Sequence, residues 1–335
     1  MNDLDRQRSL NMLYAAPRTL RHQLETVETM TSVRIGDAIF QCLSEAESDT
    51  DEVQQQALQT LASVTKVSPQ NRNLVAQTDG AISTLINLSK SSSPNVQFLS
   101  LSILFNLSLN PNLKQSLADM ETISHLNSMI LSSASLELSK LATSLICSLA
   151  MLDKNKAKFG VAGTIETLVE AVSGPRCPAS HYLLSSLAEL VQFHGNCTLA
   201  VRSGAVEVLL QIVENCEGED LAGTSLAILC LLARFEEGLT ALRKTPQVVS
   251  SMLEVLQGRC SFSKEGAAEI LIRLFDESDE CVRDALSLPE FTSVLADLSV
   301  RGSVRAREKA VLLMKKMVRV DYDSHGDGNT LLLQW

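Results

Sequence analysis

A three-residue pattern recurs along this chain at a nearly constant interval, and no other feature limits its fold so strongly. Each copy is a small or aliphatic residue, a large apolar residue four positions on, and another three further. The copies are Ala57/Leu61/Val64, Ser100/Leu104/Leu107, Ala142/Ile146/Leu149, Leu183/Leu187/Leu190, Ser225/Leu229/Leu232, Ala267/Leu271/Leu274 and Ala310/Met314/Met317. Spacing at i, i+4 and i+7 puts three side chains on one face of an α-helix. The third members follow one another at 43, 42, 41, 42, 42 and 43 residues. So narrow a period marks a stack of like repeats, each too small to bury its apolar face without its neighbours.

Between successive triads the sequence breaks and restarts. Asn71, Asn155 and Asn196 open segments that run into Asp79-Gly80-Ala81-Ile82, Ala162-Gly163-Thr164-Ile165 and Ser203-Gly204-Ala205-Val206. Glycine takes positive φ without steric penalty, so it lets one short helix end and the next leave at a steep angle. In the last two copies Pro246 and Pro289 stand at that break, and neither can continue the helix before it. Each repeat thus reads as a short helix, a sharp bend, a second helix, a loop and the long triad helix. Composition agrees. The 335 residues are 45% hydrophobic but only 4% aromatic, and the 15 Gly and 8 Pro are too few for a loop-rich β architecture.

Three helices in ~42 residues is the armadillo period, close to that of HEAT repeats. The run Asn155-Lys-Ala-Lys-Phe-Gly-Val-Ala-Gly-Thr-Ile-Glu-Thr-Leu-Val resembles the armadillo units of plant U-box proteins, as does Asn106-Leu-Ser-Leu-Asn-Pro-Asn-Leu-Lys. Arg301-Gly-Ser-Val-Arg-Ala-Arg-Glu-Lys-Ala-Val-Leu-Leu-Met resembles that family's closing repeat. The resemblance covers residues 34–320 and implies an all-α, right-handed α-solenoid (a superhelix) of about seven armadillo repeats. Residues 1–33 then form an N-terminal extension whose Leu20, Leu24 and Val27 suit a capping helix over 19–33, and 321–335 form a C-terminal tail. That tail ends Leu331-Leu-Leu-Gln-Trp335, and folding back is its preferred reading over docking elsewhere or staying unfolded, because exposed it would be adhesive. The U-box, which precedes the repeats in that family and recruits the ubiquitin-charged enzyme, has no counterpart before Arg34. The chain is therefore expected to be a relative without a U-box rather than the repeat portion of a longer protein.

Function classes fall away in turn. A formal net charge of −10 argues against nucleic acid, whose binding generally needs a basic surface. The one basic cluster, from Arg301 through Arg305, Arg307, Lys309, Lys315 and Lys316 to Arg319, reads as a solvated helix face. The eight cysteines are scattered without a C-x-x-C, as expected of reduced thiols in a cytoplasmic or nuclear protein. The N-terminal residues show no apolar core of signal-peptide type, and no run approaches the ~20 apolar residues of a membrane span. Phosphate-loop, serine-hydrolase, zincin and dinucleotide motifs are all missing from the sequence. Cys177, His181, His194 and Cys197 mimic zinc spacing, but a long helix between the two pairs holds them roughly 20 Å apart. No catalytic residue, metal site or cofactor is expected.

What the resemblance leaves is a binding groove. In armadillo proteins the third helices line the concave face, and positions two and six after the small residue point into it, with a third set one turn earlier. The candidate partner-binding residues in the first four repeats are Gln55, Gln59, Phe98, Ser102, Asn106, Lys140, Ser144, His181, Ser185 and Glu189. Farther on, Ala227 and Leu231 form an apolar patch, followed by mixed charge at Glu269/Arg273 and Leu312/Lys316. Importin-alpha-like proteins carry Trp and Asn at the two places. This chain keeps only Asn106 and has its single Trp at Trp335, so binding of nuclear-import signals is not expected. An extended or helical peptide segment held through side-chain hydrogen bonds is the expected ligand, with Phe98 and His181 as the larger contacts. The alternative is that the serines are small groups on a solvated face. Ser68-Pro69 and Ser93-Pro94 offer loop positions for phosphate. The resemblance implies an adaptor or scaffold in plant signalling. Its rivals are a substrate-recognition component of a ubiquitin ligase and, third, membrane association through the basic last helix and tail.

Overall fold

The computed structural model describes residues 34–48, 50–132, 135–215 and 219–324. The expected capping helix over 19–33 and residues 325–335 of the tail lie outside them. Among the described residues there is no strand. The chain divides into two compact blocks between Leu113 and Lys114.

In the N-terminal block, α1 (34–46) and α2 (Asp51–Val67) make the first repeat. The second repeat is α3 (Pro69–Gln77), α4 (Ala81–Leu88) and α5 (Pro94–Ser108), and a 3-10 turn over Pro111–Leu113 follows. The C-terminal block begins with α6 (Lys114–Leu117), α7 (Met120–Leu131) and α8 (Leu136–Ala150). The fourth repeat is α9 (Asp153–Val161), α10 (Thr164–Ser173) and α11 (Ser180–Leu190), and the fifth α12 (His194–Arg202), α13 (Ala205–Asn215) and α14 (Glu219–Leu232). The sixth comprises α15 (Glu236–Lys244), α16 (Val248–Gln257) and α17 (Ser261–Glu277). The seventh comprises α18 (Asp279–Ser287), α19 (Phe291–Arg301) and α20 (Val304–Ser324). The last helix runs on through Asp321 to Ser324. The architecture is an all-α armadillo solenoid, as the period of the triads requires.

Every triad residue is buried except Val64 and Met314, which are half-buried. Third helices of neighbouring repeats pack side by side, α2 on α5 in the N-terminal block and α8, α11, α14, α17 and α20 in sequence in the other. Six of the seven triads open on Ala or Ser, small enough to permit that approach; the fourth opens on Leu183. Burying one leucine is worth about 1.5–3 kcal/mol, so each repeat is stabilised mainly by its neighbours.

The bends follow the sequence with one correction. Gly80, Gly163 and Gly204 adopt φ of 77°, 76° and 80°, and across Gly204 the axes of α12 and α13 turn by 76°. In the sixth repeat the sequence points to Pro246 for the bend, but its neighbour Gln247 carries it, with φ 62° and no glycine to relieve it. The repeat geometry imposes the left-handed residue even where the sequence has lost glycine. In the seventh, Glu290 stays right-handed beside Pro289. In the third, Asp119 caps α7 by accepting from Thr122 N at 2.9 Å. Burial works to raise the Asp119 pKa, but these Thr122 hydrogen bonds outweigh it and hold it below the ordinary value.

The recurrent asparagine clamps the repeats together. Asn71 Nδ2 donates to Val64 O at 3.0 Å, Asn155 to Leu149 O at 3.0 Å and Asn196 to Leu190 O at 3.0 Å. Each acceptor is the third triad residue of the preceding helix. Asn155 and Asn196 use the second amide hydrogen on Lys114 O and Lys156 O, one repeat back. At Leu149 O and Leu190 O the amide adds a second donor to the backbone N–H of Leu152 and of Phe193, so these buried helix ends are doubly bonded. Gly238 occupies the same place in the sixth repeat, with Leu232 O so close that a Cβ would collide with it.

Cys42, Cys147, Cys177, Cys197, Cys230 and Cys281 are free thiols. Burial, with the field of Glu237, pushes the Cys197 thiol up to about 12, and its Sγ donates to Val191 O at 2.8 Å. Among the described residues no single helix is long and apolar enough to cross a membrane.

Candidate functional site

The face presented by the third helices is the candidate site, and it is described block by block. In the N-terminal block Gln59 is exposed on α2, and Phe98 on α5 leaves 41% of its surface in solvent. Gln55 is half-buried and accepts a long hydrogen bond from Asn95 at 3.5 Å. The Ser102 hydroxyl turns back onto Phe98 O at 2.8 Å. Asn106 donates to Ala62 O at 3.3 Å and to Thr65 Oγ1 at 3.0 Å, so its amide ties α5 to α2. That leaves its carbonyl oxygen as the group most able to meet a ligand. Of the candidate residues in this block, Phe98 and Gln59 are the exposed ones.

In the C-terminal block His181 and Ser185 are exposed on α11. Lys140 pairs with Glu137 at 2.8 Å, and that hydrogen bond raises its pKa. The Ser144 hydroxyl is spent on Lys140 O at 2.8 Å. Glu189 is half-buried and meets Lys156 Nζ at 2.9 Å and Gln192 Nε2 at 3.1 Å. Lys156, almost wholly buried, also pairs with Asp153 at 2.9 Å. Burial opposes its charge, but the two carboxylates outweigh burial and raise its pKa. Lys114 is buried as well. Its ammonium donates to Ser148 Oγ at 3.1 Å and to Ser148 O, and burial lowers its pKa against the fields of Cys147 and Glu189.

Sequence reasoning missed these two lysines. Lys114 and Lys156 stand 42 residues apart at the same repeat position, and that register is the signal that could have found them. Their carbon stems are core and their charges anchor the third helices, so Ser148 and Glu189 are fixed rather than adaptable groups.

The patch read at Ala227 and Leu231 is the floor of a cleft of ≈ 690 Å³ in the fifth to seventh repeats. Leu226 adds to that floor, and Phe262 stands at the rim with 85% of its surface exposed. The mixed charge follows as expected. Arg273 meets Glu269 at 2.9 Å, Lys309 meets it at 3.1 Å, and Lys309 also donates to Glu265 O at 3.0 Å. Burial acts to raise the Glu269 pKa, but Lys309 and Arg273 outweigh it and lower it. Phe262 precedes the ladder positions of its helix and carried no signal in the periodicity.

The basic cluster of the last repeat is partly spent on partners. Lys309 pairs as above, Lys316 meets Asp276, and Arg301 meets Asp297 at 3.2 Å. His194 lies against Phe235, ring centroids 4.5 Å apart, and approaches Glu237 at 3.6 Å. Among the described residues no three His, Cys, Asp or Glu side chains converge on a metal position. Ser68 caps α3 through Asn71 N at 3.1 Å, and Ser93 precedes α5.

Comparison with known proteins agrees with this geometry. U-box domain-containing protein 1 of Medicago truncatula is 30% identical over 130 residues, 37% of this chain and 18% of that protein. The match thus spans about a fifth of that protein's own length. Among solved structures, an engineered protein superposes with a TM-score of 0.72 at 18% identity, covering 86% of this chain and 72% of its own. A computationally designed armadillo repeat protein for modular peptide recognition gives 0.64 at 18% identity, covering 70% and 98%. A designed armadillo repeat protein in complex with the peptide (KR)4 gives 0.63 at 17%, covering 70% and 98%. The sequence pattern of the plant U-box protein ARM repeat region matches residues 38–325, so the chain belongs to that family.

Proposed function

We propose that this chain is a non-catalytic scaffold whose third-helix face holds a segment of another protein. The observation that carries the reading is the exposure of Phe98 and Gln59 in one block and of His181 and Ser185 in the other, at equivalent repeat positions. An exposed aromatic flanked by amide and hydroxyl groups is the makeup of a peptide-contact surface, in which a few rigid rings supply most of the affinity. The solved relatives designed for peptide recognition support a protein ligand for the fold. Phe98→Asp together with His181→Asp tests the reading. Both side chains are exposed, so folding is retained, and partner binding is expected to fall; binding unchanged in the double variant would sink it.

A second reading is favoured by the family and by the U-box relative. In it the repeats select the substrate of a ubiquitin ligase, and a U-box supplies the transfer step. Purified chain incubated with ubiquitin, activating enzyme and conjugating enzymes should form no conjugates alone, whereas a U-box partner added to it should ubiquitinate whatever the face has bound. The free thiols Cys42, Cys147, Cys177, Cys197, Cys230 and Cys281 support a reducing compartment, cytoplasmic or nuclear.

A further inference from the structure

We infer that the cleft of the fifth to seventh repeats is a separate binding site for a protein segment in which an aliphatic or aromatic side chain lies beside a carboxylate. This rests on the scaffold reading above and adds both a second location and a ligand chemistry to it.

The cleft is apolar below and cationic along one wall. Leu226, Ala227 and Leu231 form the floor, and Phe262 projects from the rim with almost all its surface in water. An exposed phenylalanine over an aliphatic floor loses little entropy on contact and gains the most from a second apolar side chain. The charges do not cancel. Glu269 is held between Arg273 and Lys309, at 2.9 and 3.1 Å, and Glu265 lies against Ser303. Arg234 is exposed and lines the cleft at the end nearest Leu231. Two acids therefore face three cations, an excess of one positive charge in a chain whose net charge is −10.

A neighbouring hollow of ≈ 340 Å³ extends the cationic wall; counted once across both hollows, four cations meet four acids, so the positive excess is local to the cleft. The hollow shares Arg234 and Arg273 with the cleft and adds Arg243, opposite Glu236 and Glu277. The Arg234–Arg273 wall thus has an apolar cleft on one side and a further guanidinium on the other. A guanidinium fork takes a carboxylate in a two-point hydrogen bond, and the adjoining cleft takes the apolar neighbour. A lysine-rich segment would meet like charge at this wall, so the site discriminates against one.

The test is selection of twelve-residue random peptides displayed on phage against the full chain, followed by anisotropy titration of the enriched peptides. The proposal expects enrichment of sequences with Leu, Ile, Phe or Trp next to Asp or Glu. Their affinity should fall about tenfold or more in Arg234→Glu and in Phe262→Ser, and recover largely in Arg234→Lys. Because Arg234 and Phe262 are exposed, the variants should melt with the parent, and an altered melt is met by repeating the titration with Phe262→Gln. Enriched peptides that are basic, or that bind these variants as well as the parent, would overturn the proposal. If such peptides instead lose binding in Phe98→Asp/His181→Asp, the scaffold reading survives and only this site falls. If no peptide is enriched, both fall.

Discussion

The Asn196 side chain reaches back forty residues to donate to the carbonyl of Lys156 at 3.0 Å, while its second amide hydrogen closes the end of α11 at Leu190. One buried side chain thus joins three helix ends, and Asn155 does the same for the repeat before it. Removing either amide takes away two buried hydrogen bonds, while Leu190 O and Leu149 O keep backbone donors in Phe193 N and Leu152 N at 3.2 and 3.3 Å. Asn196→Ala and Asn155→Ala are each expected to cost about 1–3 kcal/mol, read from urea unfolding. A loss under about 1 kcal/mol in both would show that the clamps carry little.

Gly160 is the companion of that clamp. A Cβ there would collide with Oδ1 of Asn196. Gly160→Ala should therefore destabilise the parent chain yet cost much less in the Asn196→Ala background, a coupling visible in a double-mutant cycle. Additive effects would mean the glycine serves some other contact.

The bends give a prediction of opposite signs. Gly163 has φ 76° and open space around it, so Gly163→Ala adds backbone strain and nothing else. A cost of about 1–2 kcal/mol is expected. Gln247 already bears that strain at φ 62°. Gln247→Gly relieves it at the smaller entropic cost of glycine, for a net gain of up to about 1 kcal/mol. A loss of stability in Gln247→Gly would contradict the assignment of the bend to this residue.

The Glu269 ion pairs make a contribution that acid removes. Its folded-state pKa lies below the ordinary 4.5, because Lys309 and Arg273 outweigh burial. Between that depressed value and 4.5 the unfolded chain binds more protons than the folded one, so stability rises with pH across this window. The contribution is complete above it and is lost as pH falls through the folded pKa. Glu269→Gln should flatten this part of the acid limb of the stability curve while leaving the slope near pH 7 unchanged. An acid limb identical to the parent's would show that the pairs are screened.

The solenoid was legible because it is written seven times. A triad spaced at i, i+4 and i+7 reports burial directly, and the near-constant interval reports stacking. Individual departures were less legible. Gln247 occupies a glycine position through the constraint of its neighbours, which propensity does not record. Asn106 reads as a groove residue by register, but Thr65 and Ala62 of the adjacent helix engage its amide. Lys114 and Lys156 are charged residues that a sequence reading places outside, and only the polar groups of adjoining repeats make their burial tolerable. Phe262 lies off the apolar stripe, so nothing in the periodicity separates a projecting aromatic from a loosely packed one.

The scaffold account stands most directly on the accessible groups of the third-helix face. The measurement is quantitative affinity capture from native cells with the intact chain, with Phe98→Asp/His181→Asp, and with Phe262→Ser. The account predicts that partners held by the intact chain are depleted by the face variant, with a further subset depleted by Phe262→Ser, while all three proteins melt alike. An identical set of partners on all three would place binding elsewhere and leave the stacked third helices as a spacer.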